Sequence, residues 1–171
     1  QNSIKAQESR GYEHWAKIHN LKQAARTLNF LTENRIDSYA ELSAKIAEVN
    51  AASEQAAGVL KGVERRLADM AVLIKNVTTY QKTKPVYDAY RRAKDKAAYR
   101  AAHESSIILF EAAAKAVKPA LVGGKLPNVA ALQAEYAALG EQKEKLYADY
   151  GRLKKQVKEY DVIKRNIDSI L

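Results

Sequence analysis

The sequence predicts an all-α protein: a long antiparallel coiled-coil hairpin, with a small helical knob at its tip and an N-terminal helix packed at its base. Three observations lead there. Seven Gly and three Pro in 171 residues are too few for the regularly spaced turns of a β-rich chain. Ala, Glu, Lys, Leu and Arg dominate, which is the composition of long helices and coiled coils. Two stretches of equal length also carry unbroken heptads.

The first helix is expected over Tyr12 to about Thr32. Trp15, Ile18, Ala25 and Leu28 recur at three-to-four spacing, with Leu21 and Leu31 beside them, and this predicts the packing face. Asn34-Arg35-Ile36-Asp37 reads as a break. Ser38 follows as an N-cap with Glu41 three residues on, the spacing of a capping box.

From Leu42 the apolar seam runs through Ile46, Val49, Ser53, Ala56, Leu60, Val63, Leu67, Met70, Ile74 and Val77 to the polar pair Gln81 and Lys84. The steps alternate four and three without a slip, which argues for a coiled coil. Pro85 is expected to end or kink this helix. A second seam starts after Asn128, a candidate N-cap. It comprises Val129, Leu132, Tyr136, Leu139, Lys143, Leu146, Tyr150, Leu153, Val157, Tyr160, Lys164, Ile167 and Leu171. Each arm is about 64 Å long at 1.5 Å per residue. Pairing them end to end predicts facing positions whose numbers total about 213, so Leu60 would meet Leu153 and Leu67 would meet Leu146. Tyr160 would lie opposite Ser53, and Tyr150 opposite Val63. Lys143 and Lys164 are polar at seam positions. They are expected to lay their stems along the groove, reach water with the ammonium, and help fix the register.

Between the arms, Val86 to about Ala93 is expected as a short helix. Asp95 is expected to cap another running to about Val117, closed by Pro119 and Gly123-Gly124. The organisation is therefore 1–37 as the base helix, 38–84 as the outgoing arm, 85–126 as the tip and 127–171 as the returning arm, all in one elongated domain. Gln1-Asn2-Ser3, without an initiator Met, reads as the start of an excised piece.

The formal net charge is +9, and it is unevenly placed. From Lys75 to Ala134 eleven basic residues face four acidic ones, Asp88, Asp95, Glu104 and Glu111, so this part carries +7 and the rest +2. Lys82, Lys84, Arg91, Arg92, Lys94, Lys96 and Arg100 form the densest cluster. Tyr80, Tyr87, Tyr90 and Tyr99 are interleaved with it. Basic side chains neutralise phosphates and aromatic faces stack on unpaired bases, so these residues, Tyr87 and Tyr90 included, are candidates for nucleic-acid contact. The alternative is that the tyrosines pack the knob and the lysines are a solvated face.

No catalytic or metal-binding pattern emerges, and no cofactor is expected. The chain has no cysteine. That removes disulfides and thiolate metal sites and suits a reducing cytoplasm. His14 and His19 are five apart on a helix and diverge; neither they nor His103 belong to a His-Glu-x-x-His pattern. Gly123-Gly124-Lys125 lacks the glycine spacing and the following Ser/Thr of a phosphate loop. No apolar run approaches the roughly 20 residues of a membrane span.

Three stretches carry a resemblance. They are Tyr12-Glu-His-Trp-Ala-Lys-Ile-His-Asn-Leu-Lys-Gln with Thr27-Leu-Asn-Phe-Leu-Thr-Glu-Asn, then Tyr80-Gln-Lys-Thr-Lys-Pro-Val-Tyr-Asp-Ala-Tyr-Arg, then Lys125-Leu-Pro-Asn-Val-Ala-Ala-Leu-Gln-Ala-Glu-Tyr. In order and spacing they resemble the C-terminal helical region of relaxases, the mobilization nucleases of conjugative and mobilizable elements in Firmicutes-type gut bacteria. The resemblance implies a bacterial, cytoplasmic, non-catalytic accessory domain for DNA transfer, with DNA or relaxosome proteins as partners. It implies that the nicking histidine cluster and tyrosine lie in another part of the parent relaxase. A spacer, protein-interaction or homodimerisation module is the alternative expectation.

Overall fold

The computed structural model describes residues 2–170, with side chains from residue 11 onward. Its elements are α1 (Asn2–Glu33), α2 (Tyr39–Arg92), α3 (Lys96–Ala102), α4 (Glu104–Val117), a 3-10 turn (Lys118–Ala120) and α5 (Val129–Asp168). The chain is all-α, with α2 and α5 paired antiparallel. It divides into two compact units, residues 1–57 with 148–171, and residues 58–147.

In the first unit, the start of α2 packs on the end of α5 and α1 lies against both. Ile36, Leu42, Tyr160 and Ile163 form the buried core, with Phe30, Leu31, Ile46, Val49 and Ile167 against it. The α1–α2 break falls where the sequence places it. The Ile36 amide donates to the Leu31 carbonyl (2.9 Å) and the Arg35 amide to that of Thr32 (3.2 Å). This is a Schellman closure, and Ile36 and Leu31 meet across it as that motif requires. The capping box forms with one change. The Glu41 amide donates to Ser38 Oγ, but the Glu41 carboxylate reaches the Asp37 amide (2.7 Å) rather than that of Ser38.

The packing face of α1 is not the one its apolar spacing predicts. Trp15, Leu21 and Leu28 are 59%, 68% and 65% exposed, and Ile18 is also exposed. The face that touches α5 is more polar. Thr27 is buried, and Asn166 Nδ2 donates to both Thr27 Oγ1 (3.0 Å) and Gln23 Oε1 (3.1 Å). Phe30 meets the edge of the Tyr160 ring at 5.0 Å. At 100° per residue, Thr27 lies about 145° round the helix from the middle of the Ile18–Ala25–Leu28 stripe.

In the second unit, the rest of α2 runs beside the start of α5, then against α4. Every seam position from Leu60 to Val77 is buried or half-buried, while Gln81 and Lys84 are exposed. On α5 only Tyr136 breaks the seam, at 41% exposed. After Val77 the partner of α2 changes. Tyr80 and Tyr87 pack on Phe110 at 4.8 and 4.2 Å, over a core containing Ile107, Ala113 and Val117.

Three expectations about this region are corrected. Pro85 does not end the helix; α2 continues to Arg92 with Pro85 inside it. Its ring removes one backbone donor, a loss of about 3 kcal/mol in a helix interior. The aromatic packing on both sides, Tyr80 and Tyr87 on Phe110, holds the helix through that point. The segment from Asp95 is two helices, not one: the chain breaks at His103 (φ −128°, ψ 26°), whose ring stacks on Tyr99 at 4.1 Å. The Asp95 cap itself forms, its carboxylate accepting from the Ala98 amide (3.0 Å), as does that of Asn128 with the Ala131 amide (3.1 Å).

The third correction is the register. Tyr39 Oη donates to Asp168 in the first unit, and Lys143 pairs with Glu64 in the second. Both pairs total 207 rather than 213, and Arg66 with Glu135 totals 201. The arms are thus shifted by about one heptad from the expected pairing. Tyr160 sits with Leu42 and Ile163, not opposite Ser53. A heptad seam looks the same after a shift of seven, so the apolar pattern alone does not distinguish the two alignments. Lys143 is half-buried at its seam position, and its ammonium, expected to reach water, pairs with Glu64 of α2 at 3.3 Å.

Candidate nucleic-acid interface

The seven basic candidates of the second unit separate into three groups. Arg91 and Arg92 are the last turn of α2, Lys94 lies in the connection, and Lys96 is the first residue of α3. All four are exposed, and none forms a salt bridge among the described residues. Six residues of chain thus bring four cations to one corner. The only carboxylate among them, Asp95, is occupied in capping α3. The corner is stable for a local reason: cations in the last turn of α2 complement its negative helix terminus.

Lys84 and Arg100 form the second group, already engaged within the protein. Lys84 Nζ donates to Asp88 at 2.7 Å one turn along α2. That bond raises the Lys84 pKa and lowers that of Asp88. Arg100 reaches Glu111 of α4 with both terminal nitrogens, at 3.2 and 3.3 Å, and lies over the Tyr90 ring at 5.8 Å. Tyr90 first, then Glu111, hold its guanidinium above the ordinary value. The Lys84–Asp88 pairing is legible from its i,i+4 spacing. The Arg100–Glu111 pairing is not, because it joins two helices whose break at His103 has no strong sequence signal. Lys82 forms the third group alone. It is nine residues from Arg91, about 14 Å along α2, and so does not join the corner.

The aromatic candidates are inside the fold of this unit. Tyr87 stacks on Phe110 and approaches Tyr90 at 5.8 Å, while Tyr99 stacks on His103. All three are half-buried. The packing role is the one they play here.

Gly123-Gly124 closes a tight turn. Both residues have positive φ, 57° and 75°, and Val122 and Lys125 exchange two backbone hydrogen bonds across them. That is the geometry of a type I′ turn, which glycine suits because it has no Cβ. Among the described residues no three His, Cys, Asp or Glu side chains are placed to hold a metal ion. His19 stacks on Trp15 at 5.1 Å. In the first unit an open groove of about 380 Å³ runs between Leu28, Leu31, Leu42 and Ile167; its one carboxylate, Asp37, has no basic residue among the groove's lining. No described helix is long and apolar enough to cross a membrane. No protein-family model, curated protein or solved structure matches this chain.

Proposed function

We propose that this chain is a non-catalytic helical module of a DNA-transfer relaxase and that it contacts DNA through the α2–α3 corner. The observation that carries the DNA contact is the set of four exposed cations, Arg91, Arg92, Lys94 and Lys96, with no salt-bridge partner among the described residues. Cations without a salt bridge in so short a span repel one another, and a phosphate backbone relieves that repulsion while releasing counterions. The relaxase assignment rests on the sequence resemblance of the three stretches quoted above. The test is a fluorescence-anisotropy titration of labelled DNA with the parent chain and with the Arg91→Gln/Arg92→Gln/Lys94→Gln/Lys96→Gln variant. Binding by the parent at low salt, lost in the variant, supports the reading. Equal affinity for the two proteins overturns it.

A second reading, a protein-interaction or homodimerisation module, is favoured by one observation. Trp15, Ile18, Leu21 and Leu28 are exposed apolar side chains at helical spacing along α1, and large exposed apolar patches mark interaction sites. Solution mass by light scattering tests the homodimer. A dimer that dissociates in Leu21→Glu/Leu28→Glu supports it, and a parent monomer at all accessible concentrations removes it.

A further inference from the structure

We infer that the α2–α3 corner binds duplex DNA through its phosphates and offers no stacking platform for unpaired bases. The inference rests on the DNA-contact reading above and specifies its substrate. Single-strand binders combine a basic path with aromatic faces on which successive bases stack. Here the basic path is present, and each nearby tyrosine ring already packs against a neighbour within the fold. Tyr87 lies against Phe110 with ring centroids 4.2 Å apart and planes 20° apart. Tyr99 lies against His103 at 4.1 Å and 11°. The Tyr90 ring has Arg100 over it and Tyr87 beside it. Freeing Tyr87 for a base would uncover Phe110, which is part of the buried core of this unit. What remains for a nucleic acid is charge alone, and charge alone favours the form with the higher phosphate density, the duplex.

The expected numbers follow from counterion release. Four phosphate contacts give a slope of log affinity against log salt of about −3.6 on duplex, and about −2.8 on a single strand. Between 50 and 200 mM salt the duplex affinity then falls roughly 10²-fold. The experiment is an anisotropy titration of the whole chain against a 20-base-pair duplex and a 20-nucleotide single strand of the same sequence, across that salt range. Tyr99→Ala is measured alongside, with helicity checked by circular dichroism. The expected result is tighter binding to the duplex, the steeper duplex slope, and no change in either affinity on Tyr99→Ala. Tighter binding to the single strand, or its weakening in a folded Tyr99→Ala protein, overturns the inference and leaves the DNA contact standing. Binding to neither form at 50 mM salt removes both.

Discussion

At Arg35 the backbone enters the left-handed region, with φ 54°, where a side chain costs about 1–2 kcal/mol and glycine almost nothing. The Schellman closure demands that conformation of the residue between Asn34 and Ile36, and Ile36 is anchored in the core. Arg35→Gly is therefore expected to stabilise the chain by about 0.5–1 kcal/mol, since part of the relieved strain is offset by the freer unfolded glycine. A urea denaturation midpoint that stays put or falls would count against this account. A second residue-scale prediction concerns Asp168. Tyr39 donates to its carboxylate at 2.9 Å and Lys164 at 3.2 Å. Those two bonds, Tyr39's first, lower its pKa from 3.8, while Lys164 is raised from 10.5. The sign follows: the carboxylate's contribution is present above its ordinary range and is lost as pH falls through its lower folded value. The lysine's is present below 10.5 and is lost as pH rises through its higher folded value. In Tyr39→Phe, carbon-detected NMR should show Asp168 titrating closer to 3.8; an unmoved titration would mean that the tyrosine hydroxyl does not hold the carboxylate.

At the scale of elements, the sequence is most legible where a pattern is long and periodic. The heptads of α2 and α5, the Ser38, Asp95 and Asn128 caps and the Gly123-Gly124 turn all stand where the residues place them. The misreadings have physical causes. The stripe through Ile18, Ala25 and Leu28 has helical spacing but faces solvent, because α1 is held to α5 by Asn166, Gln23 and Thr27, and polar packing has no periodic signature. Pro85 is a local veto that tertiary packing overrides. The register was illegible because the apolar seam repeats every seven residues, and the ion pairs that select among alignments are single contacts. Cysteine pairs make the register testable in a chain that has none of its own. Leu67→Cys with Leu139→Cys totals 206 and should close an intrachain disulfide under mild oxidation. Leu67→Cys with Leu146→Cys totals 213 and should not, because one heptad is about 10 Å of helix and a disulfide tolerates Cα separations only to about 7 Å. Faster migration on a non-reducing gel reads the outcome. Crosslinking by the second pair and not the first would restore the alignment expected from matched arm ends.

Across the whole molecule the charge is distributed in a way the fold does not need. The ion pairs that join separate helices, Arg66–Glu135, Lys143–Glu64 and Arg100–Glu111, use none of the four corner cations. Seven of the nine net charges nevertheless lie between Lys75 and Ala134. Lys96 is also poorly placed for stability, since it begins α3, whose first turn has no acidic residue, at the positive end of the helix dipole. Stability and phosphate binding should therefore respond oppositely to the same change. Lys94→Glu/Lys96→Glu is expected to leave the thermal midpoint unchanged or raise it by a few degrees at low salt, with the difference shrinking as salt screens the corner. The same variant should lose duplex affinity by about tenfold or more, because two phosphate contacts become repulsions. A lowered midpoint with unchanged affinity would assign these lysines to the fold and leave the DNA contact without its cations. A raised midpoint with lost affinity is what a surface kept for a polyanionic partner produces, at some expense to the stability of the chain that carries it.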